Sequence, residues 1–209
     1  MKMFGVAVMA VAVVATAPAG GLLRASVRSQ TTFTGVQPHL ASDGDRVYLT
    51  FGQDNVISVV GSADGGVTFA SPVRITVPGR VSLGMHRGPR IAATDKSVLV
   101  AVIAAAKGGG ADGDLLLYRS ADNGASWASP VVINDVPASA REGLHALTAT
   151  PAGLVVLSWL DLREKGTRIY TAVSRDHGVT WSADRLAYAS PSGSVCECCH
   201  PSEIGRAHV

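Results

Sequence analysis

Helical periodicity is what this chain most plainly lacks: after its first twenty positions no apolar run recurs at the spacing of one helix face. Aromatic side chains are scarce at 5%, whereas glycine is plentiful, with 23 among 209 residues. Together these features favour short strands joined by tight turns. A basic stripe is lacking too. Lys and Arg are scattered singly, the formal net charge is only +2, and no stacking aromatics interleave with the cations, which argues against a nucleic-acid surface. Cysteine is limited to three residues, all between positions 196 and 199. The 47% apolar content is enough to bury a core in one large domain or two small ones, so disorder is not expected for most of the chain.

The first residues read differently. Met1-Lys2 precedes an apolar run from Phe4 to Ala17, too short to span a bilayer, and two Ala-x-Ala sites follow at Ala15–Ala17 and Ala17–Ala19. Residues 1–19 are therefore expected to be a secretory signal peptide, cut after Ala19. An uncleaved N-terminal anchor is the alternative. Either way the domain is expected outside the cytoplasm, as a secreted, periplasmic or cell-surface protein in which cysteines can be oxidised.

One sequence is written three times: SADGGVTF at 62–69, SADNGASW at 120–127 and SRDHGVTW at 174–181. Each copy carries a serine (Ser62, Ser120, Ser174), an aspartate (Asp64, Asp122, Asp176), a glycine (Gly66, Gly124, Gly178) and a closing aromatic (Phe69, Trp127, Trp181). The aspartate can accept backbone N–H bonds within a turn, and the glycine can take positive φ. The aromatic can bury a large apolar area against a neighbouring unit. Three runs rich in Val, Ile, Leu, Tyr and Thr precede each copy and one follows, near 37–42, 46–52, 55–61 and 72–77 in the first unit. The second unit reads 89–94, 97–103, 114–119 and 130–133, and the third 143–149, 153–159, 167–173 and 184–189. A fourth unit is expected to begin near Val195.

The repeat resembles the Asp-box, or bacterial neuraminidase repeat, of sialidases and their relatives, a superfamily of six-bladed β-propellers. The resemblance covers about residues 36–202 and implies an all-β fold of four-stranded antiparallel blades, three complete and a fourth begun. It also implies that the boxes are structural and turn away from the ligand-binding rim. Propellers need four to eight blades to close a ring, so the natural protein is expected to be longer. The last residues, 204–209, show no strand pattern, and their back-translation matches a sequencing adapter. They are expected to be non-native read-through, which the nucleotide sequence would test.

Propeller topology places the blade-opening loops and the loops between second and third strands on the rim opposite the boxes. Aligned, the opening loops put His39, Arg90 and His145 at equivalent positions, with His86, Arg87, Arg141 and Glu142 just before. The other loops add Gln53, Asp54, Lys107, Asp112, Asp161 and Arg163. The sialidase resemblance implies arginines that clamp a substrate carboxylate, an acid for proton transfer and a Tyr–carboxylate nucleophile. On that basis Arg90, Glu142 and Asp161 are the candidate catalytic residues, and Arg87, His39, His145 and Arg163 the candidate substrate contacts. No tyrosine falls in a rim loop. The bland alternatives are salt bridges between blades for Arg90 and Glu142, a strand-end ion pair for Asp161 and Arg163, and packing roles for His39 and His145.

Cys196, Cys198, Cys199 and His200 contain the Cys-x-x-Cys-His spacing of haem attachment, but the flanking pattern is not helical. A disulfide, within the cluster or to a cysteine elsewhere, and a soft-metal site are the other readings. No cofactor is expected. The expected partner is a glycan or glycoconjugate, with no nucleic acid and no membrane beyond the N-terminal segment. The expected function is an exo-sialidase-type glycoside hydrolase, with a non-catalytic glycan- or protein-binding propeller as the alternative and a metal or haem protein using the cysteine segment as a weaker one.

Overall fold

A computed structural model describes residues 31–106, 112–198 and 201–202, with Glu142 described by its backbone alone. The expected signal peptide at 1–19 and read-through at 204–209 lie outside the described residues, as do Lys107, Cys199 and His200. Every regular element among the described residues is a strand. The first blade comprises β1 (Val36–Asp43), β2 (Arg46–Gln53), β3 (Val56–Ser62) and β4 (Val73–Thr76), paired antiparallel in that order. After a short β5 (Arg80–Val81), the second blade comprises β6 (Arg90–Ala93), β7 (Val98–Ala105), β8 (Gly113–Ser120) and β9 (Val131–Val132). The third comprises β10 (Ala140–Ala149), β11 (Val155–Asp161), β12 (Arg168–Ser174) and β13 (Arg185–Tyr188). β5 was not expected; it pairs with the end of β7 at Ala104 and Ala105. One residue pair, Ala140 with Gly113, joins the sheets of blades 2 and 3.

The stacking follows from side-chain alternation in strands. In β7 all eight residues are buried, because its two faces meet two different neighbours. Val98, Val100, Val102 and Ala104 join Tyr48, Ile57 and Val59 of blade 1 in one apolar cluster. Leu99, Ala101 and Ile103 join Leu157, Trp159 and Tyr170 of blade 3 in another. β7 therefore reads as a continuous apolar run with no polar face. Phe69 packs with Phe33, Leu49, Phe51 and Val60 on the far side of blade 1.

Each repeated octapeptide closes on itself in the same way. In the first, Ser62 Oγ donates to Asp64 (2.7 Å) and accepts the Gly66 N–H (2.9 Å), while Asp64 also takes the Thr68 N–H and hydroxyl at 2.8 and 2.6 Å. The second and third turns repeat these bonds around Asp122 and Asp176. Two consecutive residues take positive φ, not the glycine alone: Gly65 and Gly66, Asn123 and Gly124, His177 and Gly178. Gly, Asn and His are the residue types that reach this region at least cost. The third turn also docks on blade 2, where the His177 carbonyl accepts from Ser97 Oγ (2.7 Å) and Arg119 Nε (3.1 Å).

These bonds make acid sensitivity predictable. Hydrogen bonds from Thr68 and Ser126 hold Asp64 and Asp122 at about 2, and Thr180 holds Asp176 lower still. Carboxyls depressed in the folded state stabilise it above their unfolded value of roughly 3.9, and that contribution is lost as pH falls toward the folded value. Burial holds His145 at about 3, so the unfolded chain binds this proton first and stability begins to fall below roughly pH 6.5. Urea midpoints measured from pH 7.5 to 2.5 should decline in two stages, and His145→Asn should flatten the first stage alone.

Candidate functional site

The rim opposite the boxes is formed by the blade openings and by the loops between second and third strands. Strand register fixes which way each side chain points there. The box serines Ser62, Ser120 and Ser174 stand opposite Val47, Val98 and Val155, which are therefore equivalent. His39 pairs with Thr50 and Arg90 with Ala101, each three residues beyond that reference. His145 pairs with Trp159, four residues beyond, along an unbroken register that starts at Ala149 and Val155. The expected equivalence thus holds for His39 and Arg90 and is corrected for His145. A shift of one residue reverses the face. His39 and Arg90 point toward the following blade, and His145 points back toward blade 2.

All three reach a neighbouring main chain or side chain. His39 is half-buried, and its Nδ1 accepts the Ile91 N–H of blade 2 at 3.2 Å. His145 is wholly buried, with ring nitrogens 3.1 Å from the carbonyls of Gly143 and Ala101. Desolvation, then the Arg90 charge, keeps its ring neutral. Arg90 is only 7% exposed and donates to the carbonyls of His86 (2.6 Å) and Pro89 (3.3 Å). Burial also lowers its proton affinity. The contacts of His39 and His145 join blades, whereas those of Arg90 stay within its own loop.

The loop ahead of Arg90 is strained. Gly84, Met85 and His86 all take positive φ (91°, 49° and 68°), and Met85 is 76% exposed. Gln37, Asp54 and Ala138 share that conformation on the same rim. Backbone held in such regions gathers at functional sites. Arg87 lies against the opening of blade 3, since a Cβ on Gly143 would come within 3.2 Å of its own. Gln53 and Asp54 are exposed, and Asp112 is half-buried in the corresponding loop of blade 2. Glu142 sits in the bulged segment of β10, beside Arg141.

Asp161 ends β11 inside a dense network. It accepts from Ser139 Oγ (2.7 Å), Trp159 Nε1 (2.8 Å) and the Arg163 N–H, Nε and Nη2, each at 2.8 Å. Arg163 also bridges to Asp184 at 2.5 Å and lies 3.9 Å above the Tyr170 ring. Burial pushes the Asp161 carboxyl up, but the bonds from Arg163, Trp159 and Ser139 outweigh it and hold the group below its ordinary value. Asp161 and Arg163 thus meet as a strand-end pair. Sequence reasoning missed the contact beside it: Tyr170, within β12, donates its hydroxyl to the rim residue Glu164 at 2.8 Å. Burial, then Glu164, raises the Tyr170 phenol, so it stays protonated.

At the opening of blade 3, Arg141 Nη2 meets Glu197 at 2.7 Å. Glu197 also accepts the Thr167 hydroxyl. Residues 195–198 form no strand, as befits the expected entry loop of a fourth unit. They are clasped to blade 3, through the Val195 N–H to the Thr167 carbonyl (2.9 Å) and the Thr167 N–H to Ser194 Oγ (3.0 Å). Cys196 and Cys198 are joined in a disulfide around Glu197. In that state neither sulfur is a thiolate for a metal or a free thiol for haem. Among the described residues no three His, Cys, Asp or Glu side chains are grouped to hold a metal ion.

No protein-family model and no curated protein matches the chain. Solved structures do resemble it. A GH93 α-L-arabinofuranosidase of Fusarium graminearum, solved with arabinobiose, has a TM-score of 0.53 at 16% identity, over 76% of this chain and 50% of that one. An α-L-arabinanase of Penicillium chrysogenum, also with arabinobiose, has a TM-score of 0.54 at 18% identity, with the same coverage of 76% and 50%. A PL25 ulvan lyase bound to -[GlcA(1-4)Rha3S]- has a TM-score of 0.53 at 12% identity, over 73% of this chain and 39% of that one. The chain spans half or less of the length of these structures. At these identities the likeness is one of fold: three four-stranded blades of a β-propeller, as the repeat implied.

Proposed function

We propose that these blades belong to a glycan-active propeller whose site is the rim of the blade openings. Within that class we propose a glycoside hydrolase of exo-sialidase type, acting on a sugar that carries a carboxylate. The observation behind this reading is the supply of arginines from successive openings, Arg87 and Arg90 from blade 2 and Arg141 from blade 3, on the rim opposite the boxes. The two fold neighbours solved with arabinobiose, and the lyase solved with a uronic-acid-containing disaccharide, support a glycan as partner. Arg141 and Arg87 suit the carboxylate clamp better than Arg90, which is buried and bonded to carbonyl groups. Glu142 is the acid we assign to proton transfer, since Asp161 already accepts five hydrogen bonds.

We also propose export to the cell surface or periplasm, on the strength of the apolar run from Phe4 to Ala17. The engagement of Asp161 and Arg90 favours, as a second reading, a propeller that binds a glycan without cleaving it. Fluorogenic sialosides, arabinofuranosides and glucuronides assayed on the full-length protein test both. Turnover of the sialoside, reduced about tenfold to a hundredfold in kcat/KM by Arg141→Ala, is the expected result for a lost charge-assisted pair. Saturable sugar binding with no turnover of any substrate establishes the second reading. Neither binding nor turnover removes both.

A further inference from the structure

We propose that the Cys196–Cys198 disulfide is a redox latch on this rim: closed, it aims Glu197 at Arg141, and its reduction by a dithiol releases Arg141 to a ligand carboxylate. The inference rests on the glycan reading above and assigns regulation to the same site.

The bond encloses a single residue, Glu197, whose main chain is thereby held in one direction. Its carboxylate reaches back to Arg141 Nη2 at 2.7 Å and to the Thr167 hydroxyl. The segment before it is pinned to the same turn through Val195 and Ser194. At Gly166 the absence of a Cβ leaves room for the Gly193 carbonyl, which any side chain there would strike. The latch thus has a fixed seat on blade 3 and a short hinged tip. Both cysteines are exposed, so a reductant can reach them. A loop closed over one residue removes little chain entropy from the unfolded state, and exposed disulfides of this kind are the readily reduced ones. The ion pair is partly solvated, with Arg141 21% and Glu197 35% exposed, which makes it weak enough for a ligand carboxylate to replace.

The step balances without a further reactant. One thiolate of the dithiol attacks a protein sulfur and forms a mixed disulfide, which the second thiol resolves. The protein S–S bond breaks, two S–H bonds form with the protons of the dithiol, and the dithiol leaves as its own disulfide.

The test reads Arg141 directly. Phenylglyoxal labelling, followed by peptide mass spectrometry, is compared in the oxidised protein, in the Cys196→Ser/Cys198→Ser double variant and in Glu197→Gln. Arg141 should label about three to five times faster in both variants, the factor expected for releasing a partly exposed pair, while Arg163 stays constant as internal reference. Dissociation constants for glucuronate and N-acetylneuraminate should fall by about the same factor when wild type is reduced with dithiothreitol, and stay fixed in the double variant. Equal Arg141 labelling in oxidised and serine-substituted protein overturns the latch, as does alkylation showing no disulfide in the oxidised protein. Faster labelling without binding of either sugar acid keeps the latch and removes the glycan reading.

Discussion

Replacing Trp159 with alanine should lower the free energy of unfolding by about 3–5 kcal/mol, the range for deleting a fully buried large aromatic. Trp159 has no solvent exposure and sits in the cluster that joins blades 2 and 3. That cluster draws its side chains from both blades, among them Leu99, Ala101 and Leu117 from one and Leu157 and Tyr170 from the other. The stacked sheets cannot close the cavity without changing their spacing, which places the cost toward the upper end. The indole also donates to Asp161 at 2.8 Å, so alanine leaves that carboxylate one donor short. Trp159→Phe keeps most of the volume and loses only the donor, and should cost about 1–3 kcal/mol. Urea titrations of the three proteins, followed by circular dichroism, measure both. A loss below about 1 kcal/mol for alanine would mean that the interface is not packed as described.

Asp161→Ala should be nearly as damaging, at about 3–5 kcal/mol, because it strands Arg163 and removes the acceptor of Ser139 and Trp159. Arg163 would retain Asp184 and the Tyr170 ring, but its side chain is only 14% exposed and solvent cannot replace what is lost. The double variant Asp161→Ala/Arg163→Ala should be less damaging than the sum of the single ones, with a coupling of about 1–3 kcal/mol. The Asp161 carboxyl is depressed in the folded state. Its contribution is therefore present above roughly pH 4 and disappears on acidification, and Asp161→Asn should lose that part of the acid sensitivity. The same variants separate structure from chemistry at this residue. Unchanged urea midpoints with abolished turnover would make Asp161 a catalytic residue and refute its structural role.

Much of this architecture was legible because two signals of different origin coincide. The octapeptide anchors each blade at one turn, and period-two apolar alternation then assigns the strands on either side, as with β8 expected at 114–119 and found at Gly113–Ser120. The rim was less legible. Counting from the loop aligns His145 with His39, but β1 and β10 bulge by different amounts at their openings, and the register puts His145 one place further along and on the other face. A bulge leaves no dependable mark in a single sequence. The bond from Tyr170 to Glu164 was hidden for a different reason: the tyrosine belongs to a strand, and only its length carries the hydroxyl to the rim. The positive φ of Asn123 and His177 could have been read, since both residues stand where Gly65 stands in the first repeat.

The double burial of β7 has a consequence for how the chain finds its fold. A strand with one wet face is told its register by polarity, since a slip of one residue would turn apolar side chains into water. β7 has no such instruction, because Leu99, Ala101 and Ile103 could change places with Val98, Val100 and Val102 and every position would remain apolar. Alignment depends instead on the hairpin that starts the strand, where the Thr94 N–H bonds to the Ser97 carbonyl at 2.8 Å and the Thr94 hydroxyl accepts the Ser97 N–H at 3.0 Å. Four residues at the box rim thus act as the ratchet for the middle of the stack. The trap to look for during refolding is a compact species with β7 one step out of line, native in composition at every contact and wrong in shape at each.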